Sequence, residues 1–550
     1  MGRNFFNDNS DLQFHFNGFD FGEIVSLLDG EGADVSSRVS DYLSRLEQLG
    51  ELAGEKISRR ALDVDLESCR CNDGVVRLPA GATENLRELR EAGLTGVTLS
   101  KKYGGLNFPV TVYSMMTEVV SRADASLQNL FGLQSISQTI QKFGSEEQKS
   151  EYLPKFASGE YDGAMALTEP DAGSDLQSAQ LSAVEDPARP GVWLLNGRKH
   201  FITNGCASVL LVLARSEAGT KDARGLSMFI ARKCPEIHVR RIEDKLGIHG
   251  SPTCELEFTN APAELVGQRR FGLIKYVMSL MNGARLAICS QAVGLAEAAR
   301  RKAWDYASQR VQFGKKLCDI PPVRDMLERM DAQVMAGRSL LYETSKYVDL
   351  RDGYEERSLA NRGDAEAKEK TKVYTKLTAL LTPMSKFFTT EMANQVAYDA
   401  IQCHGGKGYM RDHEVERMYR DARIMNIYEG TTQLQVVAAI GGVMTHVLDP
   451  FLDELEGNGH DDAVLAGLAA KVKAARGLMD EAIGLVEGPL SSQSELLARR
   501  LVRMQVIVFT SLLMLRDVER DISRRASTIR YVNEMIPEVA MQLEIIKSYL

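Results

Sequence analysis

The sequence predicts a multidomain α+β fold in which helical regions flank a central β-rich region. Apolar residues recur at three- and four-residue steps over 39–52 and 134–156, which is typical of amphipathic helices. Short β-prone runs separated by Gly, Asn, Asp and Pro fill 161–268, and the helical period returns over 270–445. At 550 residues the chain exceeds what one hydrophobic core usually supports, so two to four domains are expected.

The elements in chain order suggest five regions. The β-prone runs lie at 192–195, 209–213, 226–230 and 237–239, a spacing typical of a small barrel or sandwich. The densely charged stretch 350–372 predicts an exposed loop or extension between two helices. We assign an N-terminal extension to 1–34, a helical domain to 35–160, the β domain to 161–268, a helical region to 269–450 and an additional helical domain to 451–550.

The additional region carries two apolar stripes, separated by the helix-breaking pair Gly488-Pro489. Each stripe must be covered, so we expect a small helical domain that packs on the body of the protein or on a partner subunit. The stripes are Val464, Leu468, Val472, Ala475, Met479 and Ile483, then Leu497, Leu501, Met504, Val508, Leu512 and Leu515.

Composition excludes several classes of protein. The formal net charge of −9 argues against a general nucleic-acid surface. The eight Cys are scattered, and the C-x-C pair Cys69 and Cys71 suits no common zinc site, so free thiols and no metal are expected. No apolar run reaches 18 residues, and the polar residues 1–11 resemble neither a signal nor a transit peptide. A cytoplasmic protein without stable membrane insertion is the expectation.

Several short motifs occur in a fixed order along the chain. They are YGG at 103–105, FGSEEQK at 143–149, YLP at 152–154, LTEPDAGSD at 167–175, NGRKHFITNG at 196–205, RVQFGK at 310–315, QCHGGKGY at 402–409 and YEGTTQLQ at 428–435. Read alone, the 168–175 segment is either a turn or a set of hydroxyl and N–H donors for a flavin. Together and in this order, the motifs over residues 80–445 resemble the acyl-CoA dehydrogenase family.

The resemblance implies an architecture and a reaction. The β domain would be a β-barrel and the helical region after it a four-helix bundle. Glu429 would be the base that removes the α-proton of an acyl-CoA thioester, while the β-hydrogen passes as hydride to N5 of FAD, giving a 2-enoyl-CoA. The thioester carbonyl would accept hydrogen bonds from the Glu429 backbone N–H and the flavin ribityl 2′-hydroxyl.

The resemblance also assigns contacts to FAD and substrate. Phe201 stands where the family commonly has Trp, which keeps a stacking face but loses an indole donor. The cofactor-binding residues would be Met165, Leu167, Thr168, Ser174, Phe201, Thr203, Arg310, Gln312, Phe313, Gln402, Gly405, Gly406, Thr431 and Gln433. The substrate-binding residues would be Ser174, Asn282, Arg285, Tyr428 and Gly430.

Two positions separate this chain from other branches of the family. Some members supply the base from the helix that carries Arg285, but the matching residue here is Ala284, which cannot act as a base. A related enzyme that oxidises nitroalkanes has Asp where this chain has Glu429. Arg310, in a segment that would otherwise be interpreted as a helix end capped by Gly314, would reach the FAD of a neighbouring subunit.

The resemblance therefore implies an acyl-CoA substrate, an electron-transferring flavoprotein as electron acceptor, and a homodimer or homotetramer. Two alternatives stay open: an acyl-CoA oxidase that uses oxygen, and a DNA-associated homologue with weak activity. The DNA-associated group has a basic C-terminal extension, whereas residues 450–550 here hold 12 Lys plus Arg and 15 Asp plus Glu. Since duplex binding depends on phosphate neutralisation, this balance disfavours DNA.

Overall fold

The structure, a computed structural model, describes residues 2–550. They divide into two compact units. The barrel unit holds residues 2–5 and 42–287, and the bundle unit holds 6–41 and 288–550.

The helices and strands occur in the predicted order of helix, strand and helix. The helices are α1 Ser10–Asn17, α2 Gly22–Asp29, α3 Val35–Leu52, α4 Ser58–Glu67, α5 Ala80–Glu91, α6 Val110–Ala123, α7 Ala125–Phe131, α8 Ser135–Phe143, α9 Glu146–Ser158, α10 Met278–Gln309, α11 Pro321–Ala360, α12 Ala365–His404, α13 Glu414–Met425, α14 Thr432–Met444, α15 Asp449–Glu456, α16 Ala463–Glu487, α17 Ser494–Arg520 and α18 Arg525–Lys547. The strands are β1 Arg70–Asn72, β2 Val75–Arg77, β3 Gly163–Ala166, β4 Ser182–Glu185, β5 Val192–Thr203, β6 Val209–Arg215, β7 Leu226–Arg232, β8 Ile237–Ile242, β9 Thr253–Leu265, β10 Val311–Gln312 and β11 Lys315–Lys316.

The β-rich region closes into a small barrel, as the resemblance implied. Strands β6, β4, β5, β9 and β7 pair in that order, and β7 pairs back to β6. Strand β3 adds to β6 and β8 adds to β9. Closure leaves the five strands of the ring without a free edge between them. The interior is apolar, with Leu195, Leu210, Phe229 and Leu256 buried in one cluster.

The helices before the barrel pack on it within the same unit. Ile136 of α8 and Tyr152 of α9 share an apolar cluster with Leu211 and Met228 of the barrel. The FGSEEQK motif begins α9 for a local reason: Ser145 and Gln148 form a capping box that satisfies two backbone N–H groups at the helix start. The predicted helical character of this region is confirmed, although it also contains the hairpin β1–β2.

In the bundle unit, two 40-residue helices, α11 and α12, lie side by side. The prediction of a loop over 350–372 is wrong, because both helices continue through it and only 361–364 form the turn. The charges are accommodated on helical surfaces. Asp364 caps α12 and accepts from Arg357 at 2.7 Å, and Lys370 pairs with Glu366 one turn before it.

The C-terminal region packs on the rest of the bundle unit and shares its core, so the prediction of packing on the body is confirmed. Leu501 of α17 and Tyr531 of α18 are fully buried in one cluster with Leu340, Leu381 and Val436. All members of the two predicted stripes are buried in this cluster except Val464, which is 47% exposed. A third long helix, α18, completes the region.

Helix α1 is tied into the bundle unit by buried charges. Asp11 accepts hydrogen bonds from Arg338 of α11 and from Arg524, and Arg338 also donates to Glu297 of α10 at 3.1 Å.

No single helix of residues 2–550 is long and apolar enough to cross a membrane. The bent pair α14 and α15, which meet at 73°, passes that test by length and composition.

Candidate functional site

Glu429, the predicted base, lies in the short loop that connects α13 to α14. It is half-buried, and its backbone is left-handed with φ 53°, a conformation that is uncommon outside glycine. The next residue, Gly430, has φ 87°. Thr431 ends the loop by capping α14, its side chain accepting from the Leu434 N–H. Two consecutive positive φ angles and a cap thus hold Glu429 at a sharp turn before a helix N-terminus.

Two buried side chains hold this loop from below, and neither was identified from the sequence. Lys386 of α12 is fully buried and donates to the carbonyls of Met425 at 3.1 Å, Tyr428 at 2.8 Å and Gly430 at 2.7 Å. Gln435 of α14 donates to the carbonyls of Glu429 at 3.3 Å and Gly430 at 2.8 Å. A single Lys in an apolar and hydroxyl-rich helical stretch is the only signal that marked Lys386 in the sequence.

The side chain of Tyr428 is fixed as well. Its hydroxyl donates to Oε1 of Gln291 on α10. Desolvation, and then the negative charge of Glu429, raise the pKa of Tyr428 well above its ordinary value. The phenol therefore stays protonated, and Tyr428 is an uncharged neighbour of the Glu429 carboxylate.

In the barrel unit, the predicted flavin-ring residues Met165, Leu167 and Thr168 lie on β3 and just after it. A buried ion pair fixes that turn. Lys199 of β5 donates to the Leu167 carbonyl at 2.8 Å and to Glu169 Oε1 at 2.8 Å. Glu169 in turn accepts the backbone N–H groups of residues 180 and 181. Burial lowers the pKa of Lys199 to about 8, while Glu169 acts in the opposite direction. Ser174 lies further along the turn and is exposed.

The second flavin-ring segment lies directly beside the first, because the His200 N–H donates to the Thr168 carbonyl at 2.9 Å. Phe201 is 59% exposed with φ 58°, and its ring stacks on His200 with centroids 4.0 Å apart. His200 Nε2 lies 2.7 Å from Glu243 Oε1. An apolar ring held outward in this way fits a flat aromatic cofactor. Thr203 ends the same strand, β5.

The His200 cluster also contains the one group in residues 2–550 whose donor atoms have metal-like spacing. Ligand atoms of His200, Glu243 and Glu255 lie within 4.8 Å of one another. Arg241 already donates to Glu255 at 2.9 Å and lies 3.5 Å from Glu243. Because a guanidinium neutralises these carboxylates, we interpret the group as an ion-pair cluster.

Arg310, Gln312 and Phe313 lie on a tight hairpin after α10. The interpretation of this segment as a helix end capped by Gly314 is wrong. Helix α10 ends at Gln309, and Phe313 and Gly314 form a two-residue turn between β10 and β11 with φ 52° and 72°. Positive φ at both positions matches the right-handed twist of a hairpin. Phe313 is 94% exposed at the tip.

Gln402, Gly405 and Gly406 lie at the end of α12, next to the end of α10, since Tyr306 and His404 stack with centroids 4.4 Å apart. Gly405 ends the helix with φ 60°. Apart from neighbouring residues of the chain, no described residue lies within 4 Å of where a Cβ of Gly405 or Gly406 would stand. These glycines therefore leave the backbone open to close approach by a ligand.

The structure does not bring all predicted cofactor residues of the bundle unit together. Lys386, which supports the loop before Thr431 and Gln433, precedes His404 by 18 positions on one helix. At about 1.5 Å of helix rise per residue, Lys386 and His404 are about 27 Å apart along the axis of α12. One group of cofactor residues therefore lies at the α13–α14 loop and another at the far end of α12.

The remaining predicted substrate residues lie at the start of α10. Arg285 is buried, and its Nη1 donates to Asn282 Oδ1 at 3.1 Å. Ala284 is buried beside it. Both Arg285 and Asn282 belong to the barrel unit, whereas Tyr428, Glu429 and Gly430 belong to the bundle unit.

Comparison with known proteins accounts for this combination of barrel, helices and Glu429 loop. Residues 50–160, 164–261 and 274–440 match the N-terminal, middle and C-terminal domains of acyl-CoA dehydrogenases. The chain belongs to the acyl-CoA dehydrogenase family. It is a flavoprotein oxidoreductase acting on CH–CH bonds, with FAD as its cofactor.

Individual relatives show the same similarity. The chain is 34% identical over 433 residues to a 3-methylmercaptopropionyl-CoA dehydrogenase of Ruegeria pomeroyi, covering 73% of this chain and 70% of that protein. It is 37% identical over 356 residues to an acyl-CoA dehydrogenase of Bacillus subtilis, covering 64% and 86%. The fold resembles an acyl-CoA dehydrogenase of Bacillus anthracis complexed with FAD, with TM-score 0.75 and 24% identity, over 98% of this chain and 88% of that one.

Proposed function

We propose that the protein catalyses the FAD-dependent α,β-dehydrogenation of an acyl-CoA thioester to a 2-enoyl-CoA, with Glu429 as the base. The observation that carries the proposal is the Glu429 loop. The backbone that carries this carboxylate has two consecutive positive φ angles, and buried Lys386 and Gln435 hold it by hydrogen bonds to its carbonyls. Because fixing such a backbone costs of order 1–3 kcal/mol, its surroundings must over-determine it, which is typical of functional sites.

The chemistry follows from the loop geometry. The Glu429 carboxylate takes the α-proton, and the peptide N–H of the same residue donates to the thioester oxygen, where negative charge develops. Tyr428 stays protonated and adds no charge beside the base. Asn282 and Arg285 contribute to binding the substrate.

The predicted cofactor residues offer an aromatic ring, hydroxyls and an Arg that suit FAD. Met165, Leu167, Thr168, Phe201 and Thr203 would hold the isoalloxazine ring, and Ser174 the pyrophosphate or the substrate. FAD supplies the acceptor for the β-hydrogen as hydride. Arg310, Gln312, Phe313, Gln402, Gly405 and Gly406 would hold the pyrophosphate and adenosine end, with Thr431 and Gln433 beside the base.

We infer that the holoenzyme is at least a homodimer. Within one chain, the loop before Thr431 and Gln433 lies about 27 Å along α12 from Gly405, so one chain presents two partial sites. Phe313 and Tyr409 are 94% and 79% exposed near the far end of α12, where a partner subunit or the cofactor would cover their rings. Closed symmetric pairing would join the partial sites of two subunits.

We place the protein in the cytoplasm and expect electrons to pass to an electron-transferring flavoprotein.

The proposed reaction is tested by anaerobic mixing of the FAD-loaded protein with a panel of acyl-CoAs, followed by admission of air. A dehydrogenase loses its flavin absorbance with a matching acyl-CoA and recovers slowly in air. Fast recovery with peroxide release would indicate an oxidase, and no loss with any acyl-CoA would contradict the proposal.

A further inference from the structure

The ammonium of Lys386 is bonded to backbone carbonyls of the loop that contains Glu429. It is fully buried, and Phe387 and Phe388, which follow it on α12, are also buried. Its Nζ lies 2.7–3.1 Å from three carbonyl oxygens, those of Met425, Tyr428 and Gly430. An ammonium has three N–H donors, so each can meet one of these acceptors. Burying a cation is costly unless it is well bonded, so this arrangement calls for a reason beyond packing.

Two of the carbonyls that Lys386 contacts lie on either side of Glu429, which suggests a role for its charge. The Tyr428 carbonyl and the Glu429 N–H belong to the same peptide group, and the Gly430 carbonyl lies just beyond Glu429. A cation bonded to the oxygen of an amide draws charge from its nitrogen and strengthens the N–H as a donor, as hydrogen-bonded chains polarise one another at low dielectric. The two contacts on either side of Glu429 also keep its left-handed backbone from rotating.

We propose that Lys386 is a positioning residue that aims and polarises the Glu429 N–H toward the thioester oxygen. The inference rests on the proposed function, in which this N–H stabilises the developing enolate. Lys386 acts through the peptide group and needs no contact with substrate. Arg is a poor substitute, because a planar guanidinium cannot direct donors at three carbonyls around one point as a compact ammonium does.

The readout that separates this role from a structural one is the carbonyl stretching frequency of a bound 2-enoyl-CoA. The ligand is labelled with ¹³C at the thioester carbonyl and measured by infrared difference spectroscopy on the FAD-loaded enzyme. In the wild type we expect a shift to lower frequency relative to the free thioester. In Lys386→Ala we expect less than half of that shift, and kcat to fall about 10²–10³-fold, the usual effect of losing one oxyanion donor.

Two comparisons control for damage to the fold. Met384→Ala truncates another fully buried side chain on the same helix and should lower thermal stability without changing the carbonyl frequency. Ethylammonium added to Lys386→Ala should restore part of the shift and of kcat, whereas tetramethylammonium, which has no N–H donor, should restore neither. Lys386→Met keeps the aliphatic volume and takes the place of the alanine variant if the latter fails to retain FAD.

The outcomes separate this inference from the proposed function. A shift in the wild type that survives unchanged in an FAD-loaded Lys386 variant would overturn the inference alone. A wild type that binds 2-enoyl-CoA without any shift would overturn the role of the Glu429 N–H itself. A reduced shift that ethylammonium restores supports both.

Discussion

His15 on α1 is expected to make the fold sensitive to acid. It is buried, its ring lies 5.2 Å from that of Tyr342 at a tilt of 55°, and it faces Asp11, Arg338, Asp517 and Arg524. Its Nε2 has no hydrogen-bond partner among the described residues. Burial, then the charge of Arg524, lower the pKa of His15 to about 3 from 6.5, with Asp11 opposing this. Between these values the unfolded chain binds a proton that the folded protein excludes, so stability falls as pH falls below 6.5.

The size of the effect follows from the width of that window. Each pH unit below 6.5 costs about 1.4 kcal/mol, so the folded state loses about 2 kcal/mol at pH 5 from this group. His15→Phe keeps a buried ring that cannot be protonated. We expect the variant and the wild type to be similarly stable at pH 8, and the variant to be more stable by about 2 kcal/mol at pH 5.

Urea denaturation at saturating FAD, followed by fluorescence at pH 8, 6.5 and 5, measures this difference. Desolvation raises the pKa of the Asp11 carboxyl, but the charges of Arg524 and Arg338 outweigh it and lower this pKa to about 2, so Asp11 stays ionised over this range in the wild type. A stability difference between variant and wild type that is the same at pH 8 and pH 5 would refute the reasoning.

Three further predictions concern the core, the flavin and the oligomer. Leu501→Ala, at a fully buried position, should cost about 2–5 kcal/mol in unfolding experiments, whereas Val464→Ala, at a half-exposed position, should change stability by less than about 0.5 kcal/mol; equal effects would mean that the C-terminal region does not share the core. Phe201→Ala should weaken FAD retention in equilibrium dialysis without lowering the barrel's thermal stability, because its ring is exposed; unchanged retention would exclude stacking on the flavin. Arg310→Glu should lower FAD affinity and shift the sedimentation coefficient toward the monomer; a wild type that is an active monomer would contradict the shared site.

The sequence predicted the order of helical and β-rich regions, because periodicity separates helices from strands. It failed where turn-type residues interrupt the alternation of buried and exposed residues along a strand. Strand β9, Thr253–Leu265, contains Asn260 and Pro262 and was not foreseen, although it closes the barrel by pairing with β5, β7 and β8. Residues 350–372 were assigned to an exposed loop or extension because of their charge, whereas oppositely charged pairs one turn apart support a helix instead.

For the candidate site, the sequence motifs identified the loops but not the buried side chains that hold those loops in place. The YEGT segment identified Glu429, and the structure adds the left-handed turn around it. Lys386 precedes Glu429 by more than forty positions and Lys199 follows Thr168 by about thirty. Lys386 acts through three backbone carbonyls, and Lys199 through the Leu167 carbonyl and the Glu169 carboxylate; backbone carbonyls carry no sequence signal. Only the folded chain shows that these two lysines are buried and bonded to the two loops.

The rate of flavin reduction in Glu429→Gln tests the central claim most directly. The amide preserves the shape of the side chain and removes the base, so the variant should still bind FAD and acyl-CoA. In anaerobic stopped-flow mixing with the best acyl-CoA of the panel, we expect the flavin absorbance to decay at least about 10²-fold more slowly than in the wild type, since a positioned general base contributes about 10²–10⁴-fold. A variant that retains more than about one hundredth of the wild-type rate would show that Glu429 is not the base.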